Sequence, residues 1–167
     1  MYKIRIILDA KKDVIRTILV EDSINLETLH ETIAKSFGFD CLEMASFYQA
    51  DAKWQQGNEI PLINMSDQVE TTCMREQFLK KVMPRVGDKL IYVYDFLLLW
   101  VFYVETIEIN DNKEYQLPKT ILSIGKIPKK APEKEFIAEP TESDEYYEDE
   151  FNNDAFESLD DIDPSRV

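Results

Sequence analysis

The stretch that most constrains this chain is residues 90–109, Leu-Ile-Tyr-Val-Tyr-Asp-Phe-Leu-Leu-Leu-Trp-Val-Phe-Tyr-Val-Glu-Thr-Ile-Glu-Ile, its longest apolar and aromatic run. The rest of the chain has to cover it. Its β-branched and aromatic residues suit pleated strands better than a helix. Asp95 is the only formal charge before Glu105, so a membrane span has to be weighed. The uncharged run is shorter than the roughly 20 residues a spanning helix needs, and Glu105 and Glu108 close it. It reads instead as two consecutive core strands with a tight reversal near Leu97, Leu98 and Leu99. Large apolar side chains gain roughly 1.5–3 kcal/mol each on full burial. Three leucines at a hairpin tip therefore predict a cover: the tail's aromatics, the 113–127 segment, or another subunit.

Ahead of this run, residues 2–8 and 14–20 alternate in polarity around the polar connection 9–13, which predicts an antiparallel hairpin. Asn25 stands where an N-cap belongs, Leu26, Leu29, Ile33 and Phe37 recur on one helical face, and Gly38 holds the C′ position. A third strand is expected over 44–50 and a brief edge strand over 59–63, interrupted by Pro61. Between them lies a polar loop carrying Trp54. Met74, Phe78, Leu79 and Val82 predict a second helix that Pro84 ends. Residues 115–127 read as an extended or irregular segment crossing back over the sheet.

The expected class is α+β: a mostly antiparallel sheet of about five strands, in the order β-β-α-β-α-β-β, with one or two helices packed on it. One domain spans residues 1–127, and 128–167 form a linker and an acidic tail.

Charge is unevenly distributed. Residues 1–132 hold 17 Lys/Arg and 19 Asp/Glu, a net of −2, whereas 133–167 hold 2 and 14, a net of −12. A near-neutral body has no broad electrostatic footprint for nucleic acid, and the tail repels phosphate. The tail has no periodicity and scatters Phe136, Tyr146, Tyr147, Phe151, Phe156 and Leu159 among its acids, so it is expected either disordered or docked on the body or a partner. Cys41 and Cys73 without a secretory leader pattern point to a reducing, cytoplasmic setting and to two buried small hydrophobes.

No catalytic constellation is visible. His30 is the single histidine, on the flank of the first helix's apolar face, without a second imidazole to complete a metal site or relay. Four glycines at unrelated spacings build no phosphate loop, and no Gly-x-Ser-x-Gly elbow occurs. The tail's acidic clusters lack the oxygen spacing of a calcium loop. No cofactor and no metal is expected. Asp95 either marks the exposed side of a strand or caps the turn; facing the core, it would need a hydrogen-bonding partner. Trp54 is either an exposed binding aromatic or a ring folded back over the sheet edge.

Lys89-Leu-Ile-Tyr-Val-Tyr-Asp-Phe96, followed by Trp100, resembles the Tyr-x-Tyr-Asp-Phe-Gly-Asp-x-Trp-x-His signature of the family named after the third open reading frame of a root-inducing plasmid, also called transposon-passenger proteins. Leu29-His30, Phe37-Gly38-Phe39-Asp40 and Leu122-Ser123-Ile124-Gly125 with Pro128 are similar to further family segments. Ser46-Phe47-Tyr48, Trp54-Gln-Gln-Gly-Asn-Glu-Ile-Pro-Leu62 and the tail around Phe151 resemble a divergent subgroup. The chain departs from the pattern with Leu97-Leu98 in place of Gly-Asp, Phe102 in place of a His, and Glu43 near another family His. The resemblance implies a mostly antiparallel α+β fold and no established biochemical role; the link to mobile elements is genomic company.

These observations predict a non-catalytic interaction or structural protein. Its candidate surface comprises Trp54, Tyr94, Asp95, Leu97, Leu98, Leu99, Trp100, Tyr146, Tyr147, Phe151 and Phe156. The expected partner is a protein or a second copy, met through the 97–99 tip and the tail; no membrane is expected. The alternatives are a mobile-element accessory touching nucleic acid through Lys80, Lys81, Arg85 and Lys89, and a hydrolase-type enzyme centred on Asp95.

Overall fold

The alternation at the start of the chain becomes a hairpin of β1 (Tyr2–Leu8) and β2 (Ile15–Val20), in the register Ile4↔Ile18 and Ile6↔Arg16. The computed structural model describes residues 1–67, 71–112 and 116–133. The expectations placed on the acidic tail, including Tyr146, Tyr147, Phe151 and Phe156, lie outside the described residues.

Helix α1 (Leu26–Ser36) follows with the predicted caps. The Asn25 side chain accepts the Thr28 N–H at 2.9 Å. At the other end Gly38 N–H reaches Lys35 C=O and Phe39 N–H reaches Ala34 C=O, a Schellman closure that uses the positive φ of Gly38. The remaining elements are β3 (Ala45–Ala50), β4 (Gln56–Pro61), a 3-10 turn (Met74–Glu76), α2 (Leu79–Val82), β5 (Lys89–Tyr94), β6 (Trp100–Ile109) and β7 (Lys119–Ile124). The strands form one antiparallel sheet in the order β4-β3-β5-β6-β1-β2-β7.

The sheet-rich α+β class is as expected, but seven strands replace about five. The edge strand expected over 59–63 begins at Gln56 and ends at Pro61. Residues 119–124, expected to cross the sheet, instead extend it as an edge strand beside β2. The second helix is a single turn. Leu26 N–H donates to Gln77 C=O, Leu79 N–H donates to Ile24 C=O, and Phe78 bridges to Asn25, so the backbone that would continue a helix upstream is held extended.

One face of the sheet carries the core. Ile4, Ile6, Ile18, Val20, Phe47, Leu90, Tyr92, Phe102 and Val104 close on Leu26, Leu29 and Ile33 of α1 and on Met74, Leu79 and Met83. Arg16 belongs to the same buried side. Among the described residues its guanidinium donates to backbone carbonyls, those of Ser36, Ile15, Ile124 and Gly125 at 2.9–3.4 Å, and lies 4.9 Å from the Phe37 ring centroid. This cation ties β7 and the C-terminal end of α1 to β2, with the helix dipole favouring positive charge there.

Candidate interaction surface

The run 90–109 is the predicted hairpin, paired from Lys89↔Glu105 to Tyr94↔Trp100. Asp95 sits at φ +60 and Leu99 at φ +57, and Leu99 N–H closes the loop on Asp95 C=O. The Asp95 carboxylate accepts the Leu97 and Leu98 N–H groups at 3.0 and 3.1 Å, and its own N–H donates to Met44 C=O. Asp95 is thus a turn-capping residue. The short acceptor side chain suits both the left-handed backbone and the two orphan donors.

What this turn presents is apolar. Leu97 is 92% exposed and Leu98 58%, with Phe96 and Leu99 partly exposed. The flanking loop 40–44, tied to the turn through Met44, adds Leu42 at 81%. Of the three covers expected for the tip, the 113–127 segment does not serve in its described part, which lies at the β7 edge, and the tail's aromatics lie outside the described residues. The tip leucines do not undo the hairpin. The turn is held instead by three N–H groups, those of Leu97, Leu98 and Leu99, on Asp95, with buried strands behind it.

Beneath the turn the residues shared with the family pattern converge. His30 Nδ1 lies 2.7 Å from the Tyr92 hydroxyl, and both residues are almost fully buried. Burial holds the His30 imidazole below its usual value despite nearby Glu31 and Glu27, and raises the Tyr92 hydroxyl well above its own. The Tyr94 hydroxyl donates to Asp40 Oδ1 at 3.0 Å and Phe39 stacks on Tyr94. The Leu42 N–H and then the Tyr94 hydroxyl hold the Asp40 carboxyl below the ordinary range. Trp100 and Phe102 complete the cluster around Phe39. Phe102, at the position of a family histidine, is fully buried among rings, so this chain builds an aromatic box where the pattern has imidazole.

The predicted surface residues therefore separate. Asp95 and the three leucines share the tip, whereas Tyr94 and Trp100 are core side chains below it. Trp54 is on the opposite face of the sheet. It stands edge-on to Tyr103, 4.9 Å between centroids, with the Lys89 ammonium 5.2 Å from its ring centroid. Cys41 and Cys73 are half-exposed rather than buried. In the basic cluster, Lys80 faces Asp22 at 3.9 Å, Arg85 faces Asp88 at 3.7 Å, and Lys89 pairs with Glu105 at 3.0 Å. Among the described residues no group of three His, Cys, Asp or Glu is placed to hold a metal ion, and no helix is long and apolar enough to cross a membrane. Arg16 was not recognisable as important beforehand. Its parity on the strand matches core residues Val14, Ile18 and Val20, but a charged side chain at such a position gives no sign of the carbonyls that receive it, which come from α1 and β7.

Fold and surface together define a small α+β protein built on one antiparallel sheet, with an apolar hairpin tip. The chain belongs to the plasmid pRiA4b ORF-3-like protein family, whose model matches residues 1–157. No curated protein matches it. Among solved structures, a protein of unknown function, MM3350 from Methanosarcina mazei Go1, shares the fold with a TM-score of 0.59 and 14% identity, over 73% of this chain and 67% of that one.

Proposed function

We propose that this protein is a non-catalytic interaction module that offers its 96–99 tip to a protein partner. The observation that carries the reading is Leu97 and Leu98 standing in water on a turn whose backbone Asp95 locks. Apolar side chains on a preorganised support gain burial on binding with little ordering entropy to offset it. The titratable groups near the tip are committed elsewhere: Asp95 to the turn, His30 to Tyr92, and Asp40 to Tyr94 and Leu42. The acidic tail is a second contact element in the same reading, suited to a basic partner.

The test is site-specific photocrosslinking in an extract of the native host, with the probe at position 97 and a control probe at exposed Lys53. A discrete adduct at 97, absent at 53 and lost in a Leu98→Asp background, is expected. Equal labelling at the two positions would reject the tip as a contact surface. A chain ending at residue 132, run alongside, reports whether the tail contributes. Contact with nucleic acid through Lys80, Lys81, Arg85 and Lys89 has weaker support, since three of the four are already paired with carboxylates.

A further inference from the structure

The two edges of the sheet are built differently. β4 is guarded: it carries Gly57, Glu59 and Pro61, which weaken or block the approach of another strand. β7 is Lys-Thr-Ile-Leu-Ser-Ile, without proline or glycine and with its single charge at the first position. Ile121, Leu122 and Ile124 are 41%, 45% and 43% exposed, at the edge where a soluble protein ordinarily places charge.

The face of the sheet turned away from α1, helix-free among the described residues, leads to that edge. Cross-strand partners Tyr48↔Ile91, Ile91↔Tyr103, Tyr103↔Ile7, Ile7↔Ile15 and Ile15↔Ile124 form one apolar row across six strands, ending on β7. Beside it runs the charged row Lys89, Glu105 and Arg5, internally paired at 3.0 and 2.6 Å. Burial pushes the Glu105 carboxyl up, but the hydrogen bonds from Arg5 and Lys89 bring it below the ordinary range. The charges are satisfied among themselves, while the apolar row stops at β7, the last strand of the sheet among the described residues.

We propose that β7 pairs antiparallel with β7 of a second copy of this chain, in a register centred on Ser123. A two-fold axis perpendicular to the sheet keeps each face continuous, so opposed residues must point to the same side. Leu122 and Ile124 share the helix-free side, with Thr17 and Ile15, whereas Thr120 lies opposite Ile18 on the core side; Ile121 is the extra residue of a bulge between them. Centring on Leu122 would set Ile124 against Thr120 of the partner, on the wrong face. Centring on Ser123 sets Leu122 against the partner's Ile124, and the reverse, and joins the two apolar rows. The stretch that pairs, Leu122 to Ile124, carries no charge, so no like charges oppose each other. The bulge and the turn at Gly125 keep the ladder short, and the association is correspondingly weak and concentration-dependent.

Sedimentation equilibrium of the full chain over a wide concentration range tests this. The wild-type mass rises from 19.6 kDa toward twice that value. Leu122→Lys/Ile124→Lys sets introduced ammonium groups against each other and holds the mass at the monomer value. Leu122→Glu/Ile124→Lys sets opposite charges across the same pairs and restores the rise. Far-UV circular dichroism and melting confirm that both variants fold, as expected at exposed positions. A wild type that stays monomeric, or a double-lysine variant that associates like wild type, overturns the proposal. Failure of the charge swap to restore association overturns the register. Loss of association in Leu97→Asp/Leu98→Asp would move the contact to the tip and overturn the β7 assignment.

Discussion

Single residues set conditions here that neighbouring elements cannot relax. Gly125 has φ +74, and a Cβ on it would run into the Asp13 carbonyl oxygen. Gly125→Ala should lose roughly 1–3 kcal/mol from the backbone conformation alone, and more as the 9–13 connection is displaced; chemical denaturation measures it, and an unchanged midpoint would refute the close approach. His30 gives a pH signature. Its folded-state pKa lies below the usual 6.5, so the unfolded chain binds more protons as pH falls through that value. The stability that rests on the neutral imidazole is complete above about 6.5 and declines below it. Comparing the unfolding free energy of wild type and His30→Gln between about pH 5 and pH 7.5 isolates this term from the carboxylates. A gap between the two chains that is constant with pH would show that His30 is not held neutral.

At the scale of elements, the 95–99 turn is the clearest case of a side chain deciding a loop. Asp95 provides a left-handed backbone and an acceptor for two N–H groups. Asp95→Asn keeps both and should change stability little, whereas Asp95→Ala loses the acceptor and strains the backbone, at about 2 kcal/mol. Hydrogen exchange at Leu97 and Leu98 should quicken in the alanine variant only; equal exchange in both variants would separate Asp95 from the rigidity of the tip. The caps of α1 were legible for the same reason, since Asn25 and Gly38 act within four residues of themselves. β7 and the single-turn α2 were not. Residues 119–124 acquire their register from β2, and residues 77–79 are held extended by residues 24–26, contacts that local pattern does not announce.

Among the described residues, α1, the single-turn α2 and the 3-10 turn cover one face of seven strands, and the core lies between them. The opposite face keeps a paired charge row and an apolar row, the latter partly roofed by Trp54 over Tyr103. This arrangement places the two candidate contacts, the leucine tip and the β7 edge, on separate parts of the surface. The Leu97→Asp/Leu98→Asp and β7 variants can therefore be read independently.

By itself the sequence determined the α+β class, the opening hairpin, the capped first helix and the 90–109 hairpin, because alternation, capping side chains and a reversal inside an apolar run act over short separations. The short segments shared with the plasmid ORF-3-like family were legible as well, and Leu97-Leu98 stood out where the pattern has Gly-Asp. Only the tertiary structure decided that Tyr94 and Trp100 are core residues, that Arg16 is a buried clamp among carbonyls, and that Trp54 lies across Tyr103. It also decided that 119–124 closes the sheet as an apolar edge. Each of these depends on which strand lies beside which, and that is set by burial summed over residues far apart in the chain, as in the pairing Ile15↔Ile124, rather than by any local preference.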